Sequence, residues 1–182
     1  MSVEVDERAS RESRRVLLTG FMGAGKTTVA LALARMLSAR SVDLDDLVAA
    51  REGRTAQQLI DEDGESAFRD AETRALEEAL GDEGARVIAT GGGAFTFERN
   101  RALVSARDCL TVWLDAPFEL CWQRTRTEDN LRPFARDEAK ARELYDRRRG
   151  SYELALLRLR VEPDATPEQL ASEIARALAE DC

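Results

Sequence analysis

Gly20-Phe21-Met22-Gly23-Ala24-Gly25-Lys26-Thr27 follows the spacing G-x-x-x-x-G-K-[ST], the pattern of a phosphate-binding loop. Its surroundings are those the chemistry requires. The run Val16, Leu17, Leu18, Thr19 leads in and predicts a strand over 15–19. Val29, Leu33, Met36 and Leu37 follow at helical spacing and predict an amphipathic helix over 26–38. Glycines let the backbone curl closely enough to aim successive N–H groups at a polyphosphate. The helix that follows adds its positive N-terminal end. In such a loop Lys26 reaches the β- and γ-phosphates of a nucleotide and the Thr27 hydroxyl ligates Mg²⁺.

Working outward, strands alternate with helices. Short strands are expected at 41–43, 86–89, 110–114 and 158–161. Helices are expected at 45–51, 55–61, 65–80, 99–107, from Pro117 to Arg126, and from about 137 to 156. Thr166-Pro167-Glu168-Gln169 opens the last helix, with Thr166 as N-cap, Pro167 at the first helical position and Gln169 completing a capping box. Leu170, Ile174 and Leu178 form its apolar stripe. Five strands separated by helices imply a parallel sheet covered on both faces, a three-layer α/β/α phosphate-loop fold. Ligands of such a sheet gather at the carboxyl ends of its strands.

Composition narrows the chemistry. The chain has 182 residues, enough for one domain with a substantial core. Its formal net charge of −8 argues against a nucleic-acid-binding surface. Histidine is absent, and Cys109, Cys121 and Cys182 are widely spaced. That argues against a structural zinc site and against any His-based triad. Cys109 and Cys121 fall in apolar patterns and read as buried small hydrophobes. Residues 1–14 read as a charged, disordered leader without a signal core. No apolar stretch approaches a membrane span, so a soluble, cytoplasmic protein is expected, and no exposed apolar stripe demands a partner, so a monomer is expected.

Further polar residues fall at strand ends. Asp43 and Asp45 form D-x-D after the second strand, on one side of the chain if it stays extended. Phosphoryl transfer needs carboxylates there, one in the Mg²⁺ shell and one on an attacking hydroxyl. The same acids would also decorate a helix N-terminus. Gly91, Gly92 and Gly93 follow a strand directly; they permit close backbone approach by a ligand, or a tight turn needing positive φ. Arg69 lies in a helix dense with charge. Arg132-Pro133-Phe134 lies in the polar segment 127–137, where an arginine could close over a phosphoryl group; Arg124, Arg126 and Arg136 are near. Arg147, Arg148 and Arg149 form a basic run suited to a carboxylate or phosphate, or to a solvated helix face.

Taken together, GFMGAGKTT (20–28), DLD (43–45), GRTAQQLIDEDGESAFRDAE (53–72), TGGG (90–93), NLRPF (130–134) and RRRGSY (147–152) resemble the shikimate kinases over about 15–178. The resemblance implies a nucleoside monophosphate kinase-like fold with a substrate-binding insert at about 45–80 and a lid at about 127–137. It implies ATP and Mg²⁺, with shikimate as phosphoryl acceptor at its 3-hydroxyl. Gly23, Ala24, Gly25, Lys26, Thr27 and Thr28 would hold the ATP phosphates, Thr27 and Asp43 the metal. Asp45 would act on the substrate hydroxyl, and Arg69, Arg148, Gly91, Gly92 and Gly93 would bind shikimate. Arg132 would be the catalytic lid arginine, and adenine would stack near Arg124 or Arg126. Phe134 stands where the family usually has leucine. A different phosphotransferase, such as a gluconate or adenylate kinase, is the first rival, and a kinase of aminoshikimate or quinate is the alternative within the same chemistry. A GTPase is disfavoured: Asp61-Glu62-Asp63-Gly64 matches D-x-x-G but ends a polar helix, and no N-K-x-D occurs. Intact Lys26, Thr27, Asp43, Asp45 and Arg132 argue against a non-catalytic relative.

Overall fold

The computed structural model describes residues 14–127 and 137–180. The chain order is β1 (Val16–Thr19), α1 (Lys26–Met36), β2 (Arg40–Asp43), α2 (Leu44–Glu52), α3 (Ala56–Gly81), β3 (Ala85–Ala89), α4 (Glu98–Ser105), β4 (Leu110–Asp115), α5 (Phe118–Thr127), α6 (Glu138–Tyr152), β5 (Leu157–Arg160) and α7 (Pro167–Glu180). A single 3₁₀ turn, Ala94–Thr96, precedes α4. The strands form one parallel sheet in the order β2-β3-β1-β4-β5. The central strand β1 pairs with β3 on one side and β4 on the other. The chain switches direction across the sheet at β1, which puts the phosphate loop in the crevice where such sheets bind ligands.

Alternation along the buried strands divides the core. Val16, Leu18, Val87, Ala89, Val112 and Leu114 face one layer with Leu33 of α1 and Leu170, Ile174 and Leu178 of α7. Leu17 and Ile88 face the other, with Leu44, Val48, Leu59, Phe68, Leu76 and Cys109. The α7 capping box forms as expected: Gln169 N donates to Thr166 Oγ1, and Thr166 N donates to Gln169 Oε1. Such a cap contributes about 1 kcal/mol. Each buried stripe residue contributes about 1.5–3 kcal/mol, so packing fixes this helix and the cap sets where it starts.

Several boundaries differ from expectation. Helix α3 runs through 56–81, with the two expected helices joined across Gly64, whose φ of 89° and ψ of 165° are non-helical. A Cβ there would meet nothing, so glycine serves the backbone angle and not the space. The start of α3 has its own capping box, Thr55 with Gln58. The chain is not extended at Asp45, because α2 already begins at Leu44. Helix α6 stops at Tyr152, short of 156, because Leu156 N donates to Thr111 Oγ1 at 2.9 Å and draws the chain into β5. Most of the expected leader and most of the expected lid, including Arg132 and Phe134, lie outside the described residues. Among those described, no helix is long and apolar enough to cross a membrane.

Candidate active site

The loop after β1 is shaped by close approaches. Gly23 has φ of +77° and abuts the carbonyl of Cys121 in α5, leaving no room for a side chain. Gly25 takes φ of +94° as the residue before α1. Helix α1 begins with no side-chain cap and no acid in its first turn, so its leading N–H groups are open to an anion. Buried Lys26 donates from Nζ to the carbonyls of Gly20 and Phe21, both at 2.9 Å, and so sits inside the loop it serves.

Asp43 makes two contacts at the end of β2. Its Oδ1 accepts from Asp45 N at 2.9 Å, capping α2, while its Oδ2 accepts from Thr27 Oγ1 at 2.6 Å. A hydroxyl and a carboxylate oxygen side by side are hard donors of the kind Mg²⁺ takes, with its remaining positions left for water and phosphate. Among the described residues no cluster of three or more acids, cysteines or histidines could hold a metal by itself. Thr27 and Asp43 therefore fit a Mg²⁺ shared with phosphate, and would not make a self-sufficient protein cage.

These residues border a cleft of about 370 Å³ lined by residues 23–29, Asp43, Asp45, Thr90, Arg124, Ala165, Pro167 and Leu170. Arg124 lines the cleft, with Nη1 3.5 Å from the carbonyl oxygen of Gly23, whereas Arg126 is exposed and does not line it. The far wall of Ala165, Pro167 and Leu170 escaped sequence reasoning. It comes from the connection after β5 and the first turn of α7, and the strand-end rule applied to that connection would have found it.

Beyond Asp45 lies a second set of groups. Arg69 is only 7% exposed and donates to Glu72 Oε2 at 2.9 Å and Glu65 Oε1 at 3.1 Å. Its guanidinium sits against the rings of Phe68 and Phe97, 4.9 and 5.4 Å from their centroids. Glu72, 1% exposed, was not singled out in the sequence; its signal is the i, i+3 spacing from Arg69. Burial raises the Glu72 carboxyl pKa against the opposing pull of Arg69, and nearby Asp45 adds to the rise. Glu72 Oε1 and Arg69 Nε are buried with no hydrogen-bond partner among the described residues.

The three glycines close this cluster from below. A Cβ on Gly91 would lie 2.6 Å from both Asp45 Oδ1 and Glu72 Oε1. One on Gly93 would lie 2.5 Å from Arg69 Nη1, and one on Gly92 3.4 Å from Arg148 Nη1. None of the three has positive φ, so close approach and not turn geometry requires them.

The arginine run is resolved residue by residue. Arg147 is exposed. Arg149 turns to the sheet and pairs with Asp115. Arg148 faces Gly92, Tyr152, Glu72 and Arg69; burial holds its pKa below the ordinary value, and the like charge of Arg69 acts in the same direction. Asp45, Arg69, Glu72, Arg148 and the glycines thus form one pocket of mixed charge, suited to a small anion that also carries a hydroxyl. Cys109 and Cys121 are buried free thiols, as expected, and Cys182 lies outside the described residues.

A family model described as shikimate kinase matches residues 22–179. A shikimate kinase of Persephonella marina is 34% identical over 161 residues, covering 88% of this chain and 96% of its own. One from Caulobacter vibrioides is 37% identical, covering 92% and 83%. Among solved structures, a shikimate kinase from Acinetobacter baumannii in complex with shikimate superposes with a TM-score of 0.85 at 34% identity, covering 92% of this chain and 94% of that one. A sugar kinase from Janibacter, with a TM-score of 0.60 at 16% identity, shares the fold.

Proposed function

The chain belongs to the shikimate kinase family of ATP-dependent kinases, and from that premise we propose how its residues divide the transfer of the ATP γ-phosphoryl group to the 3-hydroxyl of shikimate. The observation that carries the assignment is the position of Asp45. It lines the phosphate cleft with Lys26 and Thr27, and it also lies against Gly91 beside the Arg69–Glu72 pair. One carboxylate is therefore shared by the donor and acceptor halves.

The uncapped start of α1 and the backbone of Gly23, Ala24 and Gly25 receive the ATP phosphates, with Lys26 on the β- and γ-oxygens and Thr28 in the same turn. Arg124 and the Pro167 wall flank the nucleoside end of the cleft. Thr27 and, through water, Asp43 would hold Mg²⁺, which when bound neutralises charge on the β- and γ-phosphates. Arg69 and Arg148 bind the shikimate carboxylate, Glu72 fixes Arg69, and Gly91, Gly92 and Gly93 let these side chains crowd the backbone. Asp45 accepts the proton of the 3-hydroxyl as its oxygen attacks the γ-phosphorus and ADP departs, a role that supplies typically 10²–10⁴-fold in rate. The remaining cation of this reading is Arg132, which lies outside the described residues and whose proposed role is to stabilise the charge that develops on the transferred phosphoryl group. Both halves come from one chain, so the reading needs no second copy.

An ADP-release assay with shikimate, aminoshikimate, quinate and gluconate tests this. Shikimate is expected to give the highest kcat/KM. Stimulation by none of the four overturns the acceptor assignment and leaves nucleotide binding in place. Arg69→Ala is expected to raise the KM for shikimate at least tenfold with little change for ATP, since a buried charged partner is lost on one side only.

A further inference from the structure

Asp115 ends β4 at the carboxyl edge of the sheet, only 7% exposed. It carries no role in the reaction as assigned, yet two arginines converge on it. Arg158 of β5 donates to Oδ2 from Nε at 2.8 Å and from Nη2 at 2.5 Å. Arg149 of α6 donates from Nη1 to Oδ1 at 3.1 Å. The two guanidiniums lie against the Trp113 ring, at 5.0 and 4.8 Å from its centroid.

Arg149 does more than neutralise a carboxylate that Arg158 already holds. Its Nη1 also donates to the Tyr145 hydroxyl at 2.9 Å, and that hydroxyl donates to Ala116 O at 2.9 Å. The Tyr145 ring meets Phe21 of the phosphate loop edge-on, with centroids 5.2 Å apart. Trp113 reaches the same loop: its Cδ1 is 3.5 Å from where Gly20 would carry a Cβ. Gly20 and Phe21 are the two residues whose carbonyls accept from Lys26. The preceding residue of α6, Arg148, faces the acceptor pocket, and Tyr152, one turn on from it, donates to Gly92 O.

We propose that Arg149, held by Asp115 and Tyr145, is a positioning residue that fixes the roll of α6 over the sheet edge and so keeps Arg148 in register with the Lys26 loop. It touches neither substrate. It acts by tying one helix to both halves of the site, where a misplacement of about 1 Å costs on the order of 100-fold in rate. The inference rests on the assignment of Lys26 to ATP and Arg148 to shikimate.

The test uses full-length Arg149→Met. Arg158 still neutralises Asp115 in that variant, so the buried carboxylate is not left bare. Expected are KM values for shikimate and for ATP that both rise about 5–10-fold, a signature of lost positioning, whereas a residue that served one substrate would move one KM only. Arg149→Lys, which keeps the charge but not the planar fork, recovers part of the loss. Kinetic constants within twofold of wild type, whatever the thermal midpoint does, overturn the proposal, and so does a rise confined to one substrate. If Arg149→Met does not fold, Tyr145→Phe keeps the ring on Phe21 and removes only the hydroxyl link, with a rise of about threefold expected in both KM values. Unchanged values there overturn the proposal equally. Wild-type turnover of shikimate, measured alongside, judges the functional assignment separately. Should that turnover be absent, the calorimetric Kd for ATP of the variant against wild type still reads the link to the loop, and an unchanged Kd refutes it.

Discussion

Replacing Glu72 by alanine isolates what one buried carboxylate does for the acceptor pocket. Its side chain is 1% exposed and accepts from Arg69 at 2.9 Å. Without it, buried Arg69 keeps Glu65, whose side chain is 63% exposed. Breaking a buried pair by removing one partner costs about 3–5 kcal/mol, and the surviving Glu65 contact puts this case near the lower end. For a chain of this size about 3 kcal/mol corresponds to a fall of roughly 6–12 °C in thermal midpoint. Glu72→Gln retains an oxygen to accept from Arg69 and should lose far less. The two variants also separate by pH. Burial raises the folded pKa of Glu72 above its ordinary 4.5, so the native state holds that proton more tightly than the unfolded chain. The stability it contributes is complete below the unfolded pKa and is lost as pH rises through the higher folded value. The stability of wild type minus that of Glu72→Gln should therefore fall as pH rises above the ordinary 4.5 and level off once the buried carboxyl has lost its proton. Chemical denaturation at a series of pH values reads this difference. A difference that is flat or rising with pH, or an alanine variant melting within 2 °C of wild type, would refute the reasoning.

Three further outcomes follow from the geometry. Gly91→Ala places a methyl 2.6 Å from carboxylate oxygens of both Asp45 and Glu72, and should reduce kcat/KM for shikimate at least 100-fold by displacing them by about 1 Å, while the Kd for ATP moves less. Asp43→Asn removes the charge that accepts from Thr27, and is expected to raise the Mg²⁺ concentration for half-maximal rate about tenfold or more; an unchanged Mg²⁺ curve counts against Asp43 in the metal shell. Arg124→Ala should weaken ATP about 3–10-fold and leave the KM for shikimate unchanged, as steady-state kinetics with each substrate varied will show.

The donor half of the site was legible because it is local. Loop, preceding strand and following helix are contiguous, and the glycines carry their reason in backbone angle and spacing. The acceptor half is assembled from four separate segments, and single residues gave weaker signals. Arg69 looked like one more surface charge in an acid-rich helix until the fold buried it between two phenylalanines. Nothing local separates Arg148 from Arg147 and Arg149. The roll of α6 decides among them, and only the resemblance anticipated the outcome. Glu72 went unnoticed because a glutamate within a charged helix is ordinarily solvated; its burial depends on Gly91 lacking a side chain on a strand end 19 residues away. The D-x-D reading assumed an extended chain, whereas a helix carries Asp45 to the cleft wall that Asp43 also lines.

The two buried thiols lie on opposite sides of the sheet, Cys121 in the layer with α1 and α7 and Cys109 in the layer with α3. Burial raises both pKa values, that of Cys121 to about 11, so little thiolate exists at neutral pH. Each thiol can then react with an alkylating reagent only when its own layer opens. In a Cys182→Ser background the two alkylation rates, resolved by peptide mass, become separate clocks for the opening of each half of the core. Comparing the clocks with and without ATP would reveal whether the nucleotide steadies the whole molecule or only the side that closes around it.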